Sequence, residues 1–163
     1  MTQSEQFIKR DRMRYTKDSF SSGLVLLSIV FDVLYFVSIY QTDVGRYYYT
    51  YEIGLSVIYN LLFLLIAFLA SQGVKNRQDG YGLTLMIIGL MQIVRVFHLP
   101  AKAHAATVVI AGAETLVMGN GQYLYTVACL AVSAVCCIFA AVNSHSNNKK
   151  LAAHMQTIEN KTA

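Results

Sequence analysis

The stretch Leu83–Pro100, LTLMIIGLMQIVRVFHLP, is apolar apart from Gln92, Arg95 and His98. These three residues recur at intervals of three, so on a helix they share one face. An arginine at the centre of a membrane-spanning helix costs roughly 2.5 kcal/mol or more, so Arg95 needs a partner, a route to the surface or a task. The residues that can supply a partner are few: Asp32 in the first apolar run, and Asn60 and Glu52 in and beside the second. Counted from the outer ends of their helices, Asp32 lies about 12 Å deep, Asn60 about 13–15 Å and Arg95 about 6 Å. Helical side chains lean toward the helix N-terminus, which brings Arg95 down toward the level of Asp32. The spacing therefore predicts a polar cluster of Asp32, Asn60, Gln92 and Arg95, with Glu52 and His98 nearer the surface.

Such a cluster can pair charges so that helices pack, let Arg95 snorkel to water, or hold a solute. The opposite half of the same helices is almost wholly apolar, whereas a conduit needs polar steps through both halves. Structural pairing is the favoured reading on that ground.

Other chemistry finds little support. Cys129, Cys136 and Cys137 lie within the fourth apolar run, with no Cys-x-x-Cys pair, and read as small packing residues. His98, His104, His145 and His154 are scattered, and only His98 and His104 share a side, which is too few for a zinc site. No nucleophile motif or catalytic carboxylate pair is present, and Gly112-Ala113-Glu114 with Gly119-Asn120-Gly121 reads as turn chemistry rather than a phosphate loop. The expectation is a non-enzymatic protein without catalytic, cofactor-binding or metal-binding residues.

The elements that must position the cluster are plain in the composition. Of 163 residues, 55% are hydrophobic and only 13% charged, too apolar for a soluble domain of this size. The excess falls in four runs, Phe20–Tyr40, Tyr51–Ser71, Gly82–Leu99 and Tyr123–Val142. Each is close to the ~20 residues that a helix needs to cross a bilayer. Leu61–Leu69, LLFLLIAFL, offers no polar face to water. The predicted fold is an all-α integral membrane protein of four transmembrane helices (20–40, 51–71, 82–99 and 123–142). It is flanked by a basic segment, 1–19, and a tail, 143–163.

Lysine and arginine set the orientation. Lys9, Arg10, Arg12, Arg14 and Lys17 precede the first run, Lys75 and Arg77 separate the second from the third, and Lys149, Lys150 and Lys161 follow the fourth. Only Arg46 and Lys102 fall in the other two loops. Both termini are accordingly expected in the cytoplasm. The first run is longer than a signal peptide needs and ends without a small-residue cleavage site, so it is expected to stay as an uncleaved signal anchor. The formal charge of +4 is explained by topology and lipid attraction, and makes no case for nucleic acid.

The outer loop 100–122 holds the β-branched runs Thr107–Ile110 and Thr115–Met118, which can form a small β-hairpin serving as a cap or a binding element. Tyr47, Tyr48, Tyr49 and Tyr51 read as an interfacial belt. Ser4–Lys17 suits a helix lying on anionic lipid, and Leu151, Met155 and Ile158 form a short apolar stripe that wants a cover.

Four spans with an acidic residue in the first resemble the small multidrug transporters. The likeness stops there, because this chain is longer, carries an arginine in its third span and joins its last two spans by a large loop. Two functional readings follow. The favoured one is an accessory or scaffolding subunit of a larger membrane assembly such as a transporter, with other membrane subunits or its own copies as partners. The alternative is a small homo-oligomeric solute or ion transporter built on Asp32 and Arg95. A bacterial plasma membrane is the expected location.

Overall fold

A computed structural model describes residues 17–40, 50–110 and 113–162. The basic segment before Lys17, the tyrosine run Tyr47–Tyr49 and the Gly112 turn lie outside the described residues. Four helices carry the fold: α1 (Ser19–Tyr40), α2 (Thr50–Lys75), α3 (Tyr81–Ala105) and α4 (Asn120–Thr162). All four are long and apolar enough to cross a membrane.

Every helix continues beyond the apolar run that announces it in the sequence. α3 does not stop before Pro100 but carries it within the helix, buried, and ends at Ala105. Proline removes its own N–H bond and its ring crowds the carbonyl four residues back, costs offset here by the burial of Leu99, Pro100 and Ala103 against the bundle. α4 runs for 43 residues, about 65 Å, so some 30 Å of it extends past Val142.

The ends explain why the helices begin where they do. Asp18 caps α1, its carboxylate accepting the Ser21 N–H at 3.1 Å and the Ser21 hydroxyl at 2.8 Å. The Asp18 N–H in turn donates to the Lys75 carbonyl at 3.0 Å, fastening the start of α1 to the end of α2. Gly80, at φ +92°, turns the chain into α3 through a conformation that side chains rarely adopt.

Cross-helix contacts fix the order around the bundle. Ser22 meets Ser71, Gln122 meets Ser38, Asn143 meets Ser21 and Asn60 meets Arg95, so each helix runs antiparallel to its sequence neighbour and α4 closes against α1. The seams of α4 with α1 and α3 are extensive, and that between α2 and α3 is the loosest. Gly89 sets the α3–α4 distance, because a Cβ there would lie 2.9 Å from Ile138 and 3.3 Å from the Ala134 carbonyl.

Two strands, β1 (Thr107–Ile110) and β2 (Ala113–Leu116), pair antiparallel with Thr107 opposite Leu116. The second strand thus begins two residues before the β-branched run Thr115–Met118. The strands mark one end of the bundle, and the turn between α2 and α3 marks the other. Asp18 and Asn147 hydrogen-bond at 2.9 Å, which places the start of α1 and the extended part of α4 at that same turn end.

Inside, the apolar core comes in two parts. One surrounds Val25, Phe63, Leu85 and Cys137 toward the turn end, and the other surrounds Tyr35, Ile39, Leu99 and Leu130 toward the strand end. Outside, Leu61, Leu65, Phe68, Leu83, Val94 and Phe97 are all more than half exposed. So large an apolar surface, continuous along the helices, belongs against hydrocarbon rather than water.

Candidate functional site: an intramembrane polar network

Between the two core clusters lies a buried polar layer to which all four helices contribute. Its centre is an ion pair in which Arg95 of α3 donates from Nη1 to Asp32 Oδ1 of α1 at 2.8 Å. The same nitrogen donates to Gln92 Oε1 at 3.3 Å, and Nη2 donates to Asn60 Oδ1 of α2. Gln92 Nε2 donates to Asp32 Oδ1 at 2.9 Å and to Ser133 Oγ of α4 at 3.4 Å. From Ser133 the chain continues to Ser28 at 2.9 Å, and from Ser28 to the Cys137 thiol at 2.9 Å. The rings of Tyr35 and Tyr59 lie against the guanidinium, their centroids 4.5 and 4.7 Å from its carbon. That contact adds cation–π attraction to the ion pair.

The structure thus brings Asp32, Asn60, Gln92 and Arg95 together. Arg95 points inward, with a side chain only 8% exposed, rather than reaching for the surface. His98, one turn beyond Arg95, is exposed and makes no hydrogen bond into the cluster among the described residues. Glu52 falls within α2, and its side chain lies outside the described residues.

Five participants escape a reading based on charge alone: Ser28, Tyr35, Tyr59, Ser133 and Cys137. For Ser28, Tyr35, Ser133 and Cys137 the signal was helical spacing. Ser28 and Tyr35 sit four before and three after Asp32, and Cys137 follows Ser133 by four. Serine, cysteine and tyrosine pass unnoticed in apolar runs because they are common packing or interface residues there.

The network borders two cavities. One, of about 60 Å³, lies between α1 and α2 beside Asp32, Asn60, Phe36 and Leu64. Asp32 Oδ2 and Asn60 Nδ2 are both buried without a protein partner. One accepts and the other donates, the polarity that a single bridging water satisfies. The second cavity, of about 180 Å³, opens in the loose α2–α3 seam, with Arg95 and Tyr59 within and Leu55, Val94 and His98 around it.

A second polar group closes the turn end. Asn147 donates to Asp18 Oδ2 at 2.9 Å, Asn143 donates to Ser21 Oγ at 2.8 Å, and Arg77 donates to the Asn147 carbonyl at 3.0 Å. Burial alone would raise the Asp18 pKa, but the bonds from Asn147 and Ser21 and the Arg77 charge outweigh it and hold the carboxyl below its ordinary range. The half of the bundle toward the turn end, expected from the sequence to be almost wholly apolar, is therefore apolar only as far as Ser22 and Ser71, which bond each other at 2.9 Å.

Among the described residues no three His, Cys, Asp or Glu side chains are placed to hold a metal ion. The three cysteines are buried and unbridged. The arrangement is suited to holding opposite charges at depth. Compared with known proteins, the chain matches no family model, no curated protein and no solved structure.

Proposed function

We propose that the protein is a non-enzymatic accessory or scaffolding subunit of a larger membrane assembly, with both termini on the cytoplasmic side. The observation that carries this reading is α4, which remains helical to Thr162, 20 residues past the end of its apolar run at Val142. Most helical stability in proteins comes from packing an amphipathic face rather than from propensity, so a cover for the apolar side chains of this extension is favoured. Met155 on this extension is 60% exposed, and Leu151 lies one turn before it. The orientation is supported by charge: Lys17, Lys75, Arg77, Lys149 and Lys150 all lie toward the turn end.

The test is co-purification in mild detergent. The tagged chain should bring down other membrane subunits in fixed stoichiometry, and Leu151→Asp with Met155→Asp should release them while the bundle stays folded. A clean homodimer that the double variant leaves intact would overturn the reading.

The cavity reaching Arg95 through the α2–α3 seam favours the alternative, a small homo-oligomeric transporter working at Asp32 and Arg95. Against it stands the apolar layer of Val25, Phe63, Leu85 and Ala140 between the network and the turn end. Solute uptake by the purified protein in sealed vesicles, abolished in Asp32→Asn, would move this reading ahead.

A further inference from the structure

The cavity of about 180 Å³ in the α2–α3 seam is lined by polar side chains with hydrogen bonds still to give. The Arg95 guanidinium carries five N–H donors, and the buried network takes three of them, two from Nη1 and one from Nη2. Its Nε bonds none of the described residues and is not one of the buried polar atoms left without a partner, so it is open to an occupant of the cavity that Arg95 lines. Tyr59 Oη, Ser56 Oγ and the His98 ring line the same cavity, and they too are neither bonded to the described residues nor sealed off.

The antiparallel helices set these groups in two tiers. Asn60 and Arg95 bond each other and so share a level, with Tyr59 beside them. Ser56 precedes Asn60 by four residues on α2 and His98 follows Arg95 by three on α3, which puts both about 5 Å nearer the strand end. Arg95 is already paired with Asp32, so the site has no net charge to offer an anion. Leu55, Met91 and Val94 complete the walls and are 50%, 45% and 61% exposed, so the cavity opens sideways onto the lipid-facing surface. An apolar cavity of about 150 Å³ takes one benzene ring, so this volume holds a single six-membered ring whose tail stays in lipid. An occupant must therefore be neutral and ring-sized, with a hydrogen-bond acceptor toward each tier.

We propose that this cavity binds the head of a membrane-soluble quinone, a neutral six-membered ring with a carbonyl oxygen at each end. One carbonyl accepts from Arg95 Nε and Tyr59 Oη, the other accepts from Ser56 Oγ or His98, and the tail leaves between Leu55 and Val94. A fatty-acid carboxylate would meet a guanidinium that Asp32 already neutralises, and a plain alkyl chain would leave the donors of both tiers unmet. Binding needs neither a subunit on the α4 extension nor passage through the bundle, so it stands or falls apart from both readings of function.

The full-length protein in phosphatidylcholine nanodiscs, titrated with a short-chain ubiquinone, an alkylbenzene of equal tail and a fatty acid of equal tail, tests this directly. The quinone should bind one per chain and raise the thermal midpoint by several degrees, the expected consequence of binding the folded state alone. The alkylbenzene and the fatty acid should do neither. Tyr59→Phe, which keeps the ring against Arg95, and Ser56→Ala should each weaken quinone binding several-fold, read on whatever fraction is folded. Equal binding of the alkylbenzene would overturn the proposal, because the cavity would then select an apolar body alone. Preference for the fatty acid would overturn it, because Arg95 would then act as a free charge. Absence of quinone binding, or affinity undiminished in both variants, would overturn it too.

Discussion

Asp18 and Asp32 are both buried carboxylates on or beside the same helix, yet they are held in opposite ways. Asp18, at the turn end, is satisfied by the Ser21 backbone and hydroxyl and by the Asn147 amide, with Arg77 further off. Asp32, at mid-bundle, takes an arginine and a glutamine on one oxygen and leaves the other to a small cavity. Near water, neutral donors and the positive end of α1, with a charge that makes no direct contact, keep a carboxylate. At depth the desolvation cost is several kcal/mol per ion, and a full opposite charge becomes necessary.

The largest effect should follow from removing that charge. Arg95→Gln leaves Asp32 without its counter-ion, and loss of one partner of a buried pair typically costs about 3–5 kcal/mol, to be measured as unfolding in detergent. A cost under about 1 kcal/mol would show that depth imposes no such demand.

Removing a neutral member should cost less. Gln92→Leu takes one donor from Asp32 and one from Ser133, and leaving buried groups unsatisfied is worth about 1–3 kcal/mol.

At the other site Asp18→Ala should cost about 1 kcal/mol, as helix caps do. The sign of its pH dependence is fixed by the lowered pKa: the Asp18 contribution is present above the unfolded carboxylate range and fades as pH falls below about 4. The gap between wild type and Asp18→Ala should narrow over that interval and be constant at neutral pH.

The smallest effect is expected at Cys129 and Cys136, which take no part in either polar group. Alanine at both should leave assembly intact, and failure to assemble would expose a role that packing does not supply.

The bundle was legible because its signal was dense: four apolar runs near membrane length leave few alternatives. Asp32, Asn60, Gln92 and Arg95 were legible because charges and amides stand out against leucine and isoleucine, and depth can be counted at a fixed rise per residue. Ser28, Ser133 and Cys137 were not, since nothing in a membrane helix separates a serine that bonds across from one that bonds its own backbone. The turn-end group was hidden for a different reason. Asn143 and Asn147 lie past the apolar run, where a sequence reading ends the span, and only the continuation of α4 carries them back to Asp18. Likewise Pro100 marks a stop in sequence, while burial of Leu99, Pro100 and Ala103 against the bundle keeps the helix going.

Asp32 and Arg95 should act as one unit, and a double-mutant cycle measures that directly. Asp32→Asn, Arg95→Gln and the pair together are compared by unfolding in one detergent. Removing one partner strands the other, whereas replacing both removes the charges along with the need for them, so the double variant should be more stable than Arg95→Gln alone. Strictly additive losses would contradict this, and would mean that the two side chains do not depend on each other where the four helices meet.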